Sequence, residues 1–187
     1  MQLSEPVQKQ IEKLYQENIL LDDRMAALWQ KEILFTPNWW LGVILSIVPW
    51  VLWLFFRTRE STHRLMYAGF FVMMISAFLD FLGVRNGLWY YKAEVFPWFP
   101  AYEPWDVTLM PVTVLFLLQF RPNMSPFVKA VLFAGLAAFV GEPLFVWLQL
   151  YQPRNWEHYY SFPVYMVIYL IAHYLSSRKH FGRLSDS

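Results

Sequence analysis

The sequence predicts an all-α membrane protein, five transmembrane helices preceded by an N-terminal amphipathic helix. Three observations carry that prediction. Hydrophobic residues make up 57% of the 187, aromatic residues 20%, and charged residues only 16%, which lies outside the range of soluble domains. Five apolar runs, about Trp39–Phe56, Leu65–Val84, Trp105–Phe120, Phe127–Leu150 and Phe162–Leu175, approach the length that crosses ~30 Å of hydrocarbon at ~1.5 Å per residue. Trp39, Trp40, Trp50, Trp53, Trp89, Trp98, Trp105, Trp147 and Trp156 cluster near the ends of those runs, where interfacial anchors sit.

Residues 1–36 form the first unit. Ser4 can cap a helix and Pro6 falls in its first turn, where a missing N–H does no harm. Val7, Ile11, Leu14, Asn18, Leu21, Met25 and Leu28 follow 4-3 spacing. That spacing fits a helix lying on the bilayer surface, with Ile19, Leu20 and Trp29 widening its apolar face. A coiled coil with Asn18 fixing the register, which would join a second copy or a partner, is the alternative. Six acids against four bases rule out a polybasic lipid anchor. The polar stretch from Met1 to Glu32 does not read as a signal peptide, so insertion is expected to proceed through the internal apolar runs.

Residues 37–176 form the expected bundle, and 177–187 a basic tail. Arg57, Arg59 and Arg64, then Arg121 and Lys129, then Arg178, Lys179 and Arg183 occupy alternate connections. The positive-inside rule places these segments in the cytoplasm and the N-terminus outside, in a plasma membrane. In that arrangement Asp80, Asp106 and Glu142 gather at one end of the bundle. The connector 85–104 lies there too, with Trp89, Tyr90, Tyr91, Phe96, Trp98, Phe99 and Tyr102, and Pro97, Pro100 and Pro104 argue against a helix through its second half.

Glu142 stands out. An ionisable group at membrane depth costs roughly 2.5 kcal/mol or more, and so marks a candidate functional site. Pro143 beside it frees a carbonyl and bends the helix, opening room for water or ligand. Asp80 fits the same pocket, or an ion pair with Arg85. Asp106 follows Pro104-Trp105 at a helix head, where a carboxylate also serves as a cap. Glu103 reads as exposed, His158 as a solvated loop residue and His173 as interfacial. The candidate ligand-binding set is therefore Glu142, Asp80, Asp106, Glu103, Tyr90, Tyr102, Trp105 and Trp156.

Other chemistries are set aside. There is no cysteine, the four histidines are scattered at 63, 158, 173 and 180, and no metal or cofactor is expected. No span carries a central lysine for a retinal Schiff base, and no phosphate loop, HExxH or GxSxG is present. Without a basic stripe there is no case for nucleic acid.

Asn38-Trp39-Trp40, Pro49-Trp50, Leu79-Asp80 with Gly83, Gly87-Leu88-Trp89-Tyr90, Pro104-Trp105-Asp106, Met110-Pro111-Val112 and Gly141-Glu142-Pro143 together resemble a family of small, aromatic-rich integral membrane proteins of spore-forming Gram-positive bacteria. The likeness covers roughly Phe35 to Tyr174; it implies membrane location and a bacterial source, and no activity. A fainter likeness is to small membrane lycopene cyclases, which also set carboxylates beside prolines in aromatic spans. Their proline precedes paired acids, whereas here Glu142 precedes Pro143 and Glu103-Pro104-Trp105-Asp106 splits its acids.

The expected function is a membrane sensor or carrier component that binds a small amphipathic or cationic ligand in an outward-facing pocket of carboxylates and rings. The alternatives are an enzyme using buried carboxylates for acid–base chemistry on a lipid or isoprenoid, and a structural partner subunit with no ligand.

Overall fold

A computed structural model describes residues 3–178; the expected basic tail, with Lys179 and Arg183, lies outside them apart from Ser177 and Arg178. Helix α1 (Glu5–Leu28) continues through a π-helical turn, Trp29–Ile33. Helices α2 (Pro37–Phe56) and α3 (Thr62–Arg85) follow, then a short strand β1 (Trp89–Tyr91). After the connector, a π-helical segment, Glu103–Leu109, runs into α4 (Met110–Gln119). Helix α5 (Pro126–Leu136) passes through a second π segment, Ala137–Gly141, into α6 (Glu142–Trp147), and β2 (Tyr151–Pro153) leads to α7 (His158–Ser177).

Local chemistry sets the boundaries. Pro37 opens α2 behind Thr36, whose hydroxyl accepts the Trp39 N–H at 3.3 Å. Helix α3 stops in a Schellman turn: Leu88 N–H reaches Gly83 O, Gly87 N–H reaches Val84 O, and Gly87 takes φ +67°. That turn aims the chain into β1, which pairs antiparallel with β2 in the register Trp89↔Pro153, Tyr90↔Gln152, Tyr91↔Tyr151. Neither strand was expected from the sequence. Each is three residues long, too short for a legible period, and exists because the other is there.

The pairing of the two distant strands shows which helix ends lie together. It holds the end of α3 beside the end of α6, and Asn38 on the first turn of α2 donates to Leu148 O at that same end. At the opposite end Gln119 donates to Phe56 O, and the buried Lys129 ammonium donates to Leu117 O at 2.8 Å and Phe120 O at 2.6 Å. Those lysine bonds satisfy carbonyls that α4 leaves open at its C-terminus. The segment 103–119 therefore runs the length of the bundle. It has no exposed residue and forms the central helix, packed against α2 and α3. Met110, Val114 and Leu115 pack there with Trp53, Val72, Phe133 and Tyr169.

Of the five membrane-spanning helices expected, the structure supports three by length and composition. Among the described residues, Pro37–Phe56, Arg59–Arg85 and Pro126–Trp147 are long and apolar enough to cross a membrane. The third apolar run is divided between the π segment and a ten-residue α4. The fifth is interrupted along α7 by Tyr165, Tyr169, His173 and Tyr174. Phe55, Phe70, Phe78, Leu132 and Leu136 on the three long helices are exposed.

Helix α1 is the element least held by the rest. It has no buried residue, and Val7, Ile11, Leu14, Leu21, Met25 and Leu28 are all uncovered. Only its end is tied down, by the Trp29 indole donating to Glu94 O at 2.8 Å.

Replacing Lys129 with methionine keeps the apolar stem and leaves the Leu117 and Phe120 carbonyls without their charged donor. The expected loss is on the order of 2–4 kcal/mol, read as a lower unfolding temperature in mild detergent. A variant as stable as the parent would show that these carbonyls find other partners.

Candidate functional site

At the hairpin end α3, the first π segment, α6 and α7 enclose a cavity of about 250 Å³. Asp80, Asp106 and Glu142 all line it, each less than 10% exposed. Its remaining wall is largely aromatic, with Trp89, Tyr91, Trp105, Phe145, Tyr151, Trp156 and Tyr165. No lysine or arginine is among its lining residues.

Asp80 is held from the connector. Its Oδ1 accepts the Trp89 indole N–H at 2.7 Å and the Tyr91 hydroxyl at 2.5 Å, and its Oδ2 accepts the Tyr102 amide at 3.2 Å. Gly83 makes this possible, because a Cβ there would lie 1.9 Å from the Trp89 ring. The indole crosses α3 over the glycine to reach the carboxylate one turn back.

The same Tyr102 amide donates to Asp106 Oδ2 at 3.0 Å. Tyr102 precedes the π segment, so Asp106 reaches back to cap it, one residue later than in an ordinary capping box because the turn is wider. The cap and the cavity wall are thus one group. Asp80 Oδ2 and Asp106 Oδ2 therefore converge on a single amide donor, which brings the two carboxyl groups together at the cavity wall.

Pro111 explains the backbone beneath Asp106. It has no N–H for the carbonyl of Val107, four residues back, or of Asp106, five back. The Trp50 indole donates to Val107 O at 3.1 Å and the Ser76 hydroxyl to Asp106 O at 2.9 Å. Both freed carbonyls are satisfied, and α2 and α3 are thereby pinned to the central helix.

Glu142 opens α6 directly after the second π segment. Its Oε1 accepts the Tyr165 hydroxyl at 2.7 Å, and His158 Nδ1 lies 2.6 Å from its Oε2. The His158 side chain is 29% exposed and that of Glu142 7%, so the pair connects water to the cavity wall. Gly141 lets Trp105 lie against this helix, since a Cβ would meet the indole at 2.5 Å. Trp105 then stands edge-on to Phe145, with centroids 4.9 Å apart.

The structure thus brings together Glu142, Asp80, Asp106, Trp105 and Trp156. It leaves Glu103, Tyr90 and Tyr102 off the cavity wall. Tyr102 stands behind it, stacked on Tyr91 at 4.1 Å, and acts through its amide. Tyr90 points outward, with the Arg154 guanidinium 5.4 Å from its ring. Glu103 is buried rather than exposed: Oε1 accepts the Phe96 amide at 3.0 Å, and Oε2 has no partner. Asp80 bonds to rings and an amide in place of Arg85. His158 is the first residue of α7 and a partner of Glu142, not a solvated loop residue. The tryptophans divide as well, with Trp53 in the core and Trp89, Trp105 and Trp156 on the cavity. Among the described residues no three His, Asp or Glu side chains converge to hold a metal ion.

Tyr165 and His158 were missed by sequence reasoning although a signal existed. They are seven residues apart, two turns of α7, and share a face. Trp89 and Tyr91 reach the site through a hairpin that no local pattern announces.

Beside the cavity, burial raises the Glu94 carboxyl to about 7, with the Glu103 and Asp80 charges adding to the effect. A carboxyl raised in this way binds more protons folded than unfolded, so stability falls as pH rises from about 4.5 to about 7. Unfolding temperatures between those values are expected to decline with pH, and less steeply in Glu94→Gln. An equal slope in both would assign the titration elsewhere. A second expectation concerns Gly83→Ala. The added methyl overlaps the Trp89 ring, at a cost of about 1–3 kcal/mol, and changes tryptophan emission; unchanged emission and stability would remove the glycine from the site's support.

Comparison with protein families, with curated proteins and with solved structures finds no match to this chain.

Proposed function

We propose that this chain is an integral membrane protein that binds a small amphipathic organic cation, as a sensor or carrier component. One observation carries the reading: three buried carboxyl groups from three different elements line one aromatic cavity, and among the described residues no lysine or arginine lines it. Carboxyl groups gathered in a low-dielectric cavity without a basic side chain on its wall favour an added positive charge. Trp105, Trp89 and Trp156 supply apolar faces and cation–π attraction. A ligand with a positive head and an apolar body matches both properties.

The finer topology belongs to the same reading. Segments 103–119 and 158–177 cross beside the three long helices, giving five spans. The central position of 103–119 supports this, since a helix enclosed by others need not be apolar enough for lipid. The site is a plasma membrane, and the basic loops support a cytoplasmic C-terminus, an outer N-terminus and an outward-facing cavity. The uncovered apolar stripe of α1 supports contact with the bilayer surface or with a second copy of the helix.

Benzyltrimethylammonium, a permanent cation with one ring, tests the binding. Titration should quench or shift tryptophan emission saturably, and Glu142→Gln should weaken binding at least tenfold. Equal affinity in the two proteins would refute the reading.

The convergence of Asp80 and Asp106 on one amide favours a second reading, in which one of the two carries a proton, delivers it to an isoprenoid double bond and takes a proton back from the cation so formed. Solvent deuterium appearing in a membrane isoprenoid incubated with the protein in D2O, and not with Asp80→Asn, would select this reading over simple binding.

A further inference from the structure

We propose that the cavity takes up its organic cation in exchange for one proton, released to water by His158. This inference rests on the cation-binding reading and adds what balances the charge of the empty site. The grounds are geometric. His158 Nδ1 and Glu142 Oε2 are 2.6 Å apart, a distance that requires a proton between them. Glu142 is nearly closed off from solvent, whereas the imidazole is partly open to it. Among the cavity-lining groups and their partners it is the only basic side chain.

An isolated carboxylate so buried is costly unless paired. In the empty cavity the imidazolium is that pair. A cation entering beside Trp105 and Tyr165 supplies the same charge from the other side. Two positive charges on one carboxylate then repel each other. The exposed one, His158, can give its proton to water, and the ligand cannot. The neutral imidazole turns its remaining Nδ1–H to Glu142 and keeps the hydrogen bond. The balance is one ligand cation in and one proton out, with no covalent change.

Other titratable groups face this pair. Tyr165 of α7 donates to the opposite oxygen of Glu142, and Tyr151 of β2 lies within its field. Asp106 of the π segment lies within the field of Tyr165, and Asp80 of α3 within that of Tyr151. Glu157 precedes His158 in the chain. Of these, the Asp80–Asp106 pair is the rival source of a released proton, because its two carboxyl groups crowd one amide donor and a proton held between them would also be expelled by an added cation.

The test is calorimetric titration of the full chain in detergent with benzyltrimethylammonium. Two buffers of different ionisation enthalpy are used, at pH 6 and pH 8.5, which bracket ordinary imidazole titration. The probe has no proton of its own, so any proton counted comes from the protein. The expected result is close to one proton released per cation at pH 6 and close to none at pH 8.5, with affinity rising by up to tenfold per pH unit between. In His158→Gln, whose amide can still donate to Glu142, release falls to none and affinity becomes independent of pH. In Asp80→Asn the release is kept.

Release per bound cation that persists in His158→Gln, or vanishes in an Asp80→Asn protein that still binds the cation at raised concentration, would move the proton to the aspartate pair and overturn the exchange. Should His158→Gln fail to fold, wild type and Asp80→Asn decide alone. Binding by wild type with no proton released at pH 6 also overturns the exchange while leaving the cation site standing. No binding by wild type at either pH removes the site itself.

Discussion

The structure depends on one constraint: the three carboxyl groups buried at the cavity need hydrogen-bond donors where water is shut out. Asp80 accounts for the hairpin's place, because the Trp89 indole and Tyr91 hydroxyl that satisfy it are both on β1. Asp106 accounts for the start of the central helix, since it caps the Tyr102 amide shared with Asp80. Glu142 accounts for the entry of α7, whose first residue and a residue two turns later both bond to it. Remove the acids and the cavity end loses the contacts that order the connector.

Prolines and π-helical segments are the backbone's share of the same arrangement. Pro111 and Pro143 each follow a π segment closely, where the wider turn and the missing N–H loosen the helix. At Pro111 the two freed carbonyls bind α2 and α3 through Trp50 and Ser76. The loosened turns carry Asp106 and introduce Glu142. Irregular backbone is tolerated inside a membrane protein where it is buried in protein or lines a cavity, and the segment Glu103–Leu109 satisfies that condition. The glycines Gly83 and Gly141 complete it, each admitting an indole where a side chain would collide.

Charge divides the site in two. The Asp80–Asp106 pair is closed, held by rings and a shared amide. The Glu142–His158 pair is open on one side, because the imidazole reaches partial exposure. One wall of the cavity thus carries a closed acidic pair and an open acid–base pair, and the aromatic lining keeps the dielectric around both low.

By itself the sequence determined the helical class, apolar runs that include the three long helices, and the acids worth watching, because hydropathy and the cost of membrane charge are local properties that composition and spacing record. It also placed those acids at one end of the bundle. It did not determine the number of helices meeting the criteria of a span, because α4 is short and enclosed and α7 is studded with tyrosines, and neither needs the lipid-facing hydropathy that marks α2. Nor did it separate Glu103, which sits buried behind the wall, from Asp106, which lies on it three residues later; the π turn decides which way each faces. Trp89 and Tyr91 became partners of Asp80 only through pairing with β2, sixty residues away. His158 changed from a loop residue to the partner of Glu142 for the same reason: contacts between distant segments depend on how the helices pack, and no local pattern in the chain encodes them.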